Sequence, residues 1–241
     1  MAIRITVPAH GHTRHSARWP VWLWVGYLLV AALTVLVLWF AIARPVQVLP
    51  RMRPAPLFTL TNQDGQWFSD RDMRGHAVLV SFTYARCGSR CAAIETGMQV
   101  TRDRLRQDGM LGTQVQLLTV SLDPQHDTPA ELRAYAVRIG ANKGEWQLLT
   151  GMPAEVKELV GGGFGVYYTG GTGGVDGEEL TFDHRAVLID AGGTIRAEYA
   201  GDQIDAAIIA RDIALIERED ASAPIERPIY EAAHVFVCYP K

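Results

Sequence analysis

The chain has 241 residues, 48% of them hydrophobic and 20% charged, and a formal net charge of −3, a composition that supports one compact domain with appendages. Acids and bases are mixed along it without a basic face or stripe, which excludes the electrostatic footprint of nucleic-acid binding. Three cysteines are too few for a disulfide scaffold, so their spacing carries the information.

Residues 1–18 form a short tail without an acidic residue; its His10, His12 and His15 read as solvated tail rather than as a metal site. Residues 19–43 contain no charged residue and are long enough to cross a bilayer, which takes about 20 apolar residues. Trp19, Trp22 and Trp24 at one end and Trp39 and Phe40 at the other stand where interfacial aromatics are expected. This run predicts a single transmembrane helix in contact with membrane lipid. Arg4, Arg14 and Arg18 before it are matched by Arg44, Arg51 and Arg53 after it, so positive charge alone does not orient it. The acid-free tail, and the ease with which a long domain follows a first apolar span across the membrane, place the tail in the cytoplasm. The expected location is the inner (cytoplasmic) membrane, with the domain in the periplasm or an equivalent space.

Residues 44–56, rich in proline and arginine, read as a linker. The domain is expected over residues 57–220. Leu57 to Leu60 and Gln66 to Phe68, joined through Asn62, Gln63, Asp64 and Gly65, predict an N-terminal β-hairpin. Ala77 to Tyr84 fits a buried strand, and the helical spacing of Ile94, Met98 and Leu105 predicts a helix from Cys91 to Asp108 with Met98 in the core. Val115 to Leu122 is the next strand; Asp123 and Pro124 turn the chain. Thr128, Pro129 and Glu131 supply an N-cap, a first-turn proline and a capping-box acid for a helix reaching Ile139. Trp146 to Thr150 predicts a strand, Pro153 to Val160 a short helix, and residues 161–177, rich in glycine, a mobile loop. Arg185 to Asp190 and Thr194 to Tyr199 predict a hairpin turning at Gly192 and Gly193, and Asp205 to Arg218 an amphipathic closing helix. Residues 221–241 remain as a C-terminal tail, in which His234 and Cys238 lie in an apolar packing or docking stretch, HVFVCY. Alternating strands and helices followed by a late hairpin and helix define an α/β domain with a thioredoxin-like arrangement.

Cys87 and Cys91 flank Gly88, Ser89 and Arg90 where a buried strand meets a helix start. The positive end of that helix, with Arg86 and Arg90, favours the thiolate form, which binds soft metals or attacks disulfides. Three intervening residues allow both sulfurs to converge on one ion, and equally allow a disulfide. A two-sulfur metal site needs a further ligand, and His184, in the loop before the late hairpin, is the candidate that a thioredoxin-like topology brings near. Two thiolates and an imidazole favour copper, especially Cu(I), or zinc.

YARCGSRC after the VLVSFTY strand, SLDPQHDTPAELRAYA and DHRAVLID, in this order over roughly residues 54–220, resemble the Sco/SenC family. The resemblance implies a membrane-anchored thioredoxin-like domain with copper, Cu(I) or Cu(II), bound by Cys87, Cys91 and His184. It also implies delivery to the copper-accepting subunit of a terminal oxidase, the copper centre of cytochrome c oxidase. Family members commonly carry a proline after each cysteine; here Gly88 and Ala92 stand there. The alternative expectation is an extracytoplasmic thiol–disulfide oxidoreductase in which Cys87 and Cys91 are a redox-active pair without obligate copper. Against it, redox enzymes of that fold space their cysteines by two residues and carry a proline before the late hairpin.

Overall fold

The computed structural model describes residues 21–43, 47–169, 180–201 and 204–236. They fall into two separate units, one ending at Pro45 and one beginning at Val46.

The first unit contributes α1 (Val21–Ala43), whose first 19 residues are long and apolar enough by length and composition to cross a membrane. Trp22, Trp24 and Trp39 are all exposed on it.

The second unit is a mixed α/β domain. In chain order it runs β1 (Arg53–Pro54), β2 (Thr59–Asn62), β3 (Trp67–Ser69), β4 (Ala77–Thr83), α2 (Ala92–Gln107), β5 (Val115–Ser121), α3 (Pro129–Ile139), β6 (Trp146–Thr150), α4 (Pro153–Lys157), β7 (Tyr168–Thr169), β8 (Thr181–Phe182), β9 (Arg185–Ile189), β10 (Thr194–Ala200), α5 (Ala206–Asp220) and α6 (Arg227–Phe236). One eight-stranded sheet has the order β1-β10-β9-β4-β5-β6-β2-β3, and β7 pairs with β8 apart from it. β4, β5 and β6 are parallel; the remaining pairs are antiparallel, with Val80 opposite both Leu118 on β5 and Val187 on β9.

Every residue of β4 is buried. Burying Val78, Leu79, Val80 and Phe82 contributes about 1.5–3 kcal/mol apiece, which fixes the strand end from which the cysteine loop departs. Several polar groups in this core pair with one another: the Trp146 indole donates to Thr119 Oγ1 at 2.9 Å, and Ser81 and Thr119 hydroxyls lie 2.9 Å apart. α3 begins as its sequence dictates, with Thr128 Oγ1 accepting from the Glu131 N–H and Pro129 in the first turn, and ends at Gly140 in the left-handed conformation (φ 71°). α2 and α5 lie side by side because Gly97 is small; a Cβ there would fall 2.6 Å from Ile204.

Three expectations are corrected. Residues 47–56 do not run free: Val48 and Leu49 are buried, and Met52 and Ala55 N–H groups donate to Ile195 and Gly193 carbonyls, making β1 the sheet's edge. A proline is tolerated there because an edge strand has donors to spare. The glycine-rich stretch is ordered at its start, where α4 continues into a π-helical turn, Glu158–Gly163, that buries Leu159 and Val160 and leads to buried Phe164 and Val166; residues 170–179 lie outside the described residues. The segment after Asp220, expected as a tail with an apolar packing stretch, carries a helix that was not expected, α6, whose Ala233 is fully buried.

A buried ionic clasp holds these ends. Arg196, 1% exposed, sits at a β-bulge between Ile195 and Ala197 that turns it inward beside its buried neighbours. It donates to Glu219 (2.6 Å), Asp190 (3.1 Å) and the Leu49 and Pro50 carbonyls (2.8 and 3.2 Å). Glu219 also meets Arg51 at 2.6 Å and His234 Nε2 at 2.9 Å, and Arg51 reaches Glu231 on α6 at 3.1 Å. Burial pushes the Glu219 carboxyl up, yet hydrogen bonds from Arg196, His234 and Arg51 outweigh it and hold the group at about 2.

Candidate metal and thiol site

β4 ends at Thr83, and the chain turns through Tyr84, Ala85 and Arg86, with the Cys87 N–H donating to the Tyr84 carbonyl at 3.1 Å. A single 3-10 turn, Gly88–Cys91, then leads into α2, and Cys91 occupies the helix N-cap position. Gly88 takes φ +65°, a left-handed conformation that suits glycine and lets the turn fold back. The outcome is a pair of buried sulfurs, Cys87 7% and Cys91 1% exposed, joined as a disulfide with Cα atoms 5.7 Å apart. The structure therefore shows the oxidised form of the pair, at the positive end of a helix that favours thiolates once the bond is reduced.

His184 precedes β9 in the loop after β8. Its half-buried imidazole stacks on Phe182 (centroids 4.3 Å, 29° between planes), and Phe182 meets Tyr84 edge-on at 6.3 Å. The Tyr84 end of the cysteine loop and the His184 loop are thus packed through one aromatic bridge. Gly201 closes behind it: its N–H donates to the His184 carbonyl at 2.5 Å. Burial and the nearby positive charge of Arg90 push the His184 imidazole below its ordinary value, with Asp183 opposing them. A neutral imidazole keeps a lone pair for a metal. Arg90, between the cysteines, is therefore felt at His184.

The structure joins Cys87 and Cys91 and sets His184 in the adjoining loop. Among the described residues, no three His, Cys, Asp or Glu side chains are gathered as a metal-ligand set in this disulfide form. Met98 is 1% exposed in the core, as its place on the helical stripe indicates. His234 is engaged with Glu219. His10, His12, His15 and Cys238 lie outside the described residues.

A layer of acids beneath the cysteine loop was not legible as part of the site. Asp123 does more than turn the chain: it meets Arg86 at 3.3 Å and His126 Nδ1 at 2.8 Å. Asp127, four residues on, accepts from the Ser121 hydroxyl at 2.5 Å and from the Ala85 N–H at 2.9 Å. Burial pushes the Asp127 carboxyl up against the lowering effect of those two bonds. The signal was present in the DPQHD spacing, but only the three-dimensional approach of the β5–α3 connection to the cysteine loop gives it meaning.

Fold and site together define a thioredoxin-like domain with a disulfide-bonded cysteine pair at a strand-to-helix junction. A family model described as SCO1/SenC matches residues 50–217, and the chain belongs to that family. It is 28% identical over 103 residues to the SCO1 protein homolog of Bacillus subtilis, a stretch covering 42% of this chain and 52% of that protein, so it spans about half the length of that relative. Among solved structures it is similar to a SCO1/SenC family lipoprotein from Bacillus anthracis (TM-score 0.61, 23% identity, covering 68% of this chain and 95% of that one). It is also similar to Bradyrhizobium japonicum ScoI with copper bound (TM-score 0.57, 21% identity, 68% and 99% covered). A further likeness is to BsSco, a Sco family member described as a cytochrome c oxidase assembly protein with a disulfide switch (TM-score 0.61, 21% identity, 70% and 98% covered). At these identities the structural likenesses establish the fold.

Proposed function

We propose that this chain is a membrane-anchored copper-binding protein. In this reading reduced Cys87 and Cys91, with His184, take up Cu(I) and pass it to the copper-accepting subunit of a terminal oxidase outside the cytoplasm. The observation that carries the reading is the packing of the His184 loop against the start of the cysteine loop through Phe182 and Tyr84. Forming a three-ligand site would require reduction of the disulfide and approach of His184 to the freed sulfurs. Membership of the SCO1/SenC family and the likeness to a copper-bound ScoI support it. Two thiolates and a neutral imidazole give a Cu(I) site a net charge of −1, which Arg90 between the cysteines would offset, Arg86 being already paired with Asp123. Three ligands leave copper open to attack by an acceptor's ligand, which suits transfer better than storage. Cu(II) is a second oxidation state the same ligands would accept.

The test is X-ray absorption of the reduced full chain in detergent after copper loading. About one copper per chain is expected, with sulfur and imidazole nitrogen neighbours; absence of sulfur ligation rules the reading out.

The disulfide itself favours a second reading, a thiol–disulfide oxidoreductase acting on an oxidase's cysteines. A reducing dithiol would attack one sulfur of the Cys87–Cys91 bond, pass through a mixed disulfide and leave as a disulfide, supplying two electrons and two protons to the pair; the dithiol pair would then reduce a disulfide of the oxidase by the same exchange and return to its own disulfide. His184→Ala separates the two: copper retention collapses under the first reading, whereas disulfide reduction persists under the second.

A further inference from the structure

The buried carboxyl of Asp127 is 1% exposed and has no part in the ligand set proposed above. One oxygen, Oδ2, takes both hydrogen bonds described for the group, from Ser121 on β5 and from the Ala85 N–H; Oδ1 has no hydrogen-bond partner among the described residues. Burying a carboxyl this way is costly unless its bonds accomplish something, because an apolar residue would fill the space with no desolvation penalty. What it grips is specific. Ala85 lies two residues before Cys87, and its carbonyl is held from the other side by the Arg138 guanidinium of α3 at 2.6 Å. Both peptide groups flanking Ala85 are therefore anchored to residues 127 and 138, and Arg86 is anchored to Asp123. These anchors hold the chain just ahead of Cys87 without touching the sulfurs, whereas Cys91 is fixed separately by the start of α2.

We propose that Asp127 is a positioning residue for the cysteine pair: by clamping Ala85 it holds Cys87 within bonding reach of Cys91 and so sets the balance between disulfide and dithiol. The proposal rests on Cys87 and Cys91 being the working pair, but not on copper. A disulfide closes more readily the higher the effective concentration of one thiol near the other, and freeing the loop lowers it. In the reaction concerned an external dithiol is oxidised, the Cys87–Cys91 bond breaks, and each cysteine gains one electron and one proton.

The experiment equilibrates the full chain, in detergent and in a Cys238→Ser background, with graded ratios of reduced and oxidised dithiothreitol, and reads the pair by thiol labelling and mass. Asp127→Ala is expected to shift the equilibrium at least tenfold toward the dithiol, about 30 mV for a two-electron couple. Asp127→Asn keeps a carbonyl oxygen for Ala85 and stays within twofold of the wild type. Arg138→Met, on the exposed side of the clamp, shifts the balance at least threefold in the same direction and decides the matter if the alanine variant does not fold. Three results would overturn the proposal. A folded Asp127→Ala or Arg138→Met could keep the wild-type balance within twofold. Asp127→Asn could shift as far as Asp127→Ala. A distant core variant at Ile216, chosen to match the measured stability loss of Asp127→Ala, could give the same shift. Copper titration of the wild type runs alongside: no binding there removes the copper reading and leaves the clamp as measured.

Discussion

Arg90 lies between the two cysteines, and its charge reaches His184 across the loop junction, behind burial in the order of causes that lower the imidazole's pKa. Replacing Arg90 by Gln removes one of those causes. The expected outcome is a rise in the His184 pKa toward its ordinary value, read from the imidazole proton shifts by NMR on the oxidised protein; an unchanged titration would mean that burial alone sets it. Gly88 offers a second test on the same turn. At φ +65° a β-carbon meets no neighbour within 4 Å, so Gly88→Ala pays only for its backbone conformation. That cost is about 1–2 kcal/mol, and it should appear as lower stability in urea with the cysteines still able to pair.

At the scale of elements, the clasp around Arg196 and Glu219 makes the plainest demands. Removing one member of a buried ion pair leaves its partner's charge uncompensated, at a cost of about 3–5 kcal/mol. Arg196→Met should therefore destabilise the domain by roughly 3 kcal/mol in urea unfolding, with Asp190 and Glu219 left to face each other. The pH dependence follows from the direction of the Glu219 shift. Its carboxyl falls from an ordinary 4.5 to about 2 in the folded chain. Its contribution to stability is thus complete above the unfolded value and is lost as pH falls toward the folded one. Glu219→Gln should cost most at pH 7 and progressively less as the wild type is acidified below about pH 4.5. An equal cost at both ends would show that Glu219 acts through shape rather than charge.

The same elements show what the sequence can convey. β4, β5 and β6 were legible as short, largely apolar runs bounded by turn residues, and the β9–β10 hairpin by its turn at Gly192 and Gly193. α3 was legible because Thr128, Pro129 and Gly140 punctuate it. β1 was not, since two residues including a proline carry no period and become a strand only by pairing with β10. The clasp was hidden for a related reason. Arg196 reads as an outward residue of an alternating strand until the bulge turns it inward, and its partner Glu219 is 23 residues away. At the site, Cys87 and Cys91 announced themselves by spacing and position, and His184 by the DHRAVLID segment. Asp127 did not, because the value of its carboxyl lies in reaching Ala85, 42 residues earlier in the chain.

For the whole molecule, the relevant division is between α1 and the domain beginning at Val46. If α1 anchors the chain, the full protein resists alkaline carbonate extraction from membranes, while a chain starting at residue 47 is released. Release of both would mean that α1 does not span. The cysteine loop, the His184 loop and the acidic layer all belong to the domain, so the shortened chain should retain the disulfide chemistry whatever the anchor does.

The pairing of Arg51 with Glu231 spans 180 positions, and that of Arg51 with Glu219 spans 168. A chain emerging from the ribosome exposes residues 47–55 long before either acid has been made, at about 5–20 residues per second. β1 must therefore wait for β10, and Arg51 for α5 and α6, while the strands and loops around the cysteines can already collapse. The cysteine loop with β5 and α3 beneath it would be built first, His184 and β9 next, and the Arg51 contacts with α5 and α6 last. A chain cut short by a premature stop ahead of Glu219 would still hold a cysteine pair, yet with its first strand poorly secured it would be an early target for proteolysis.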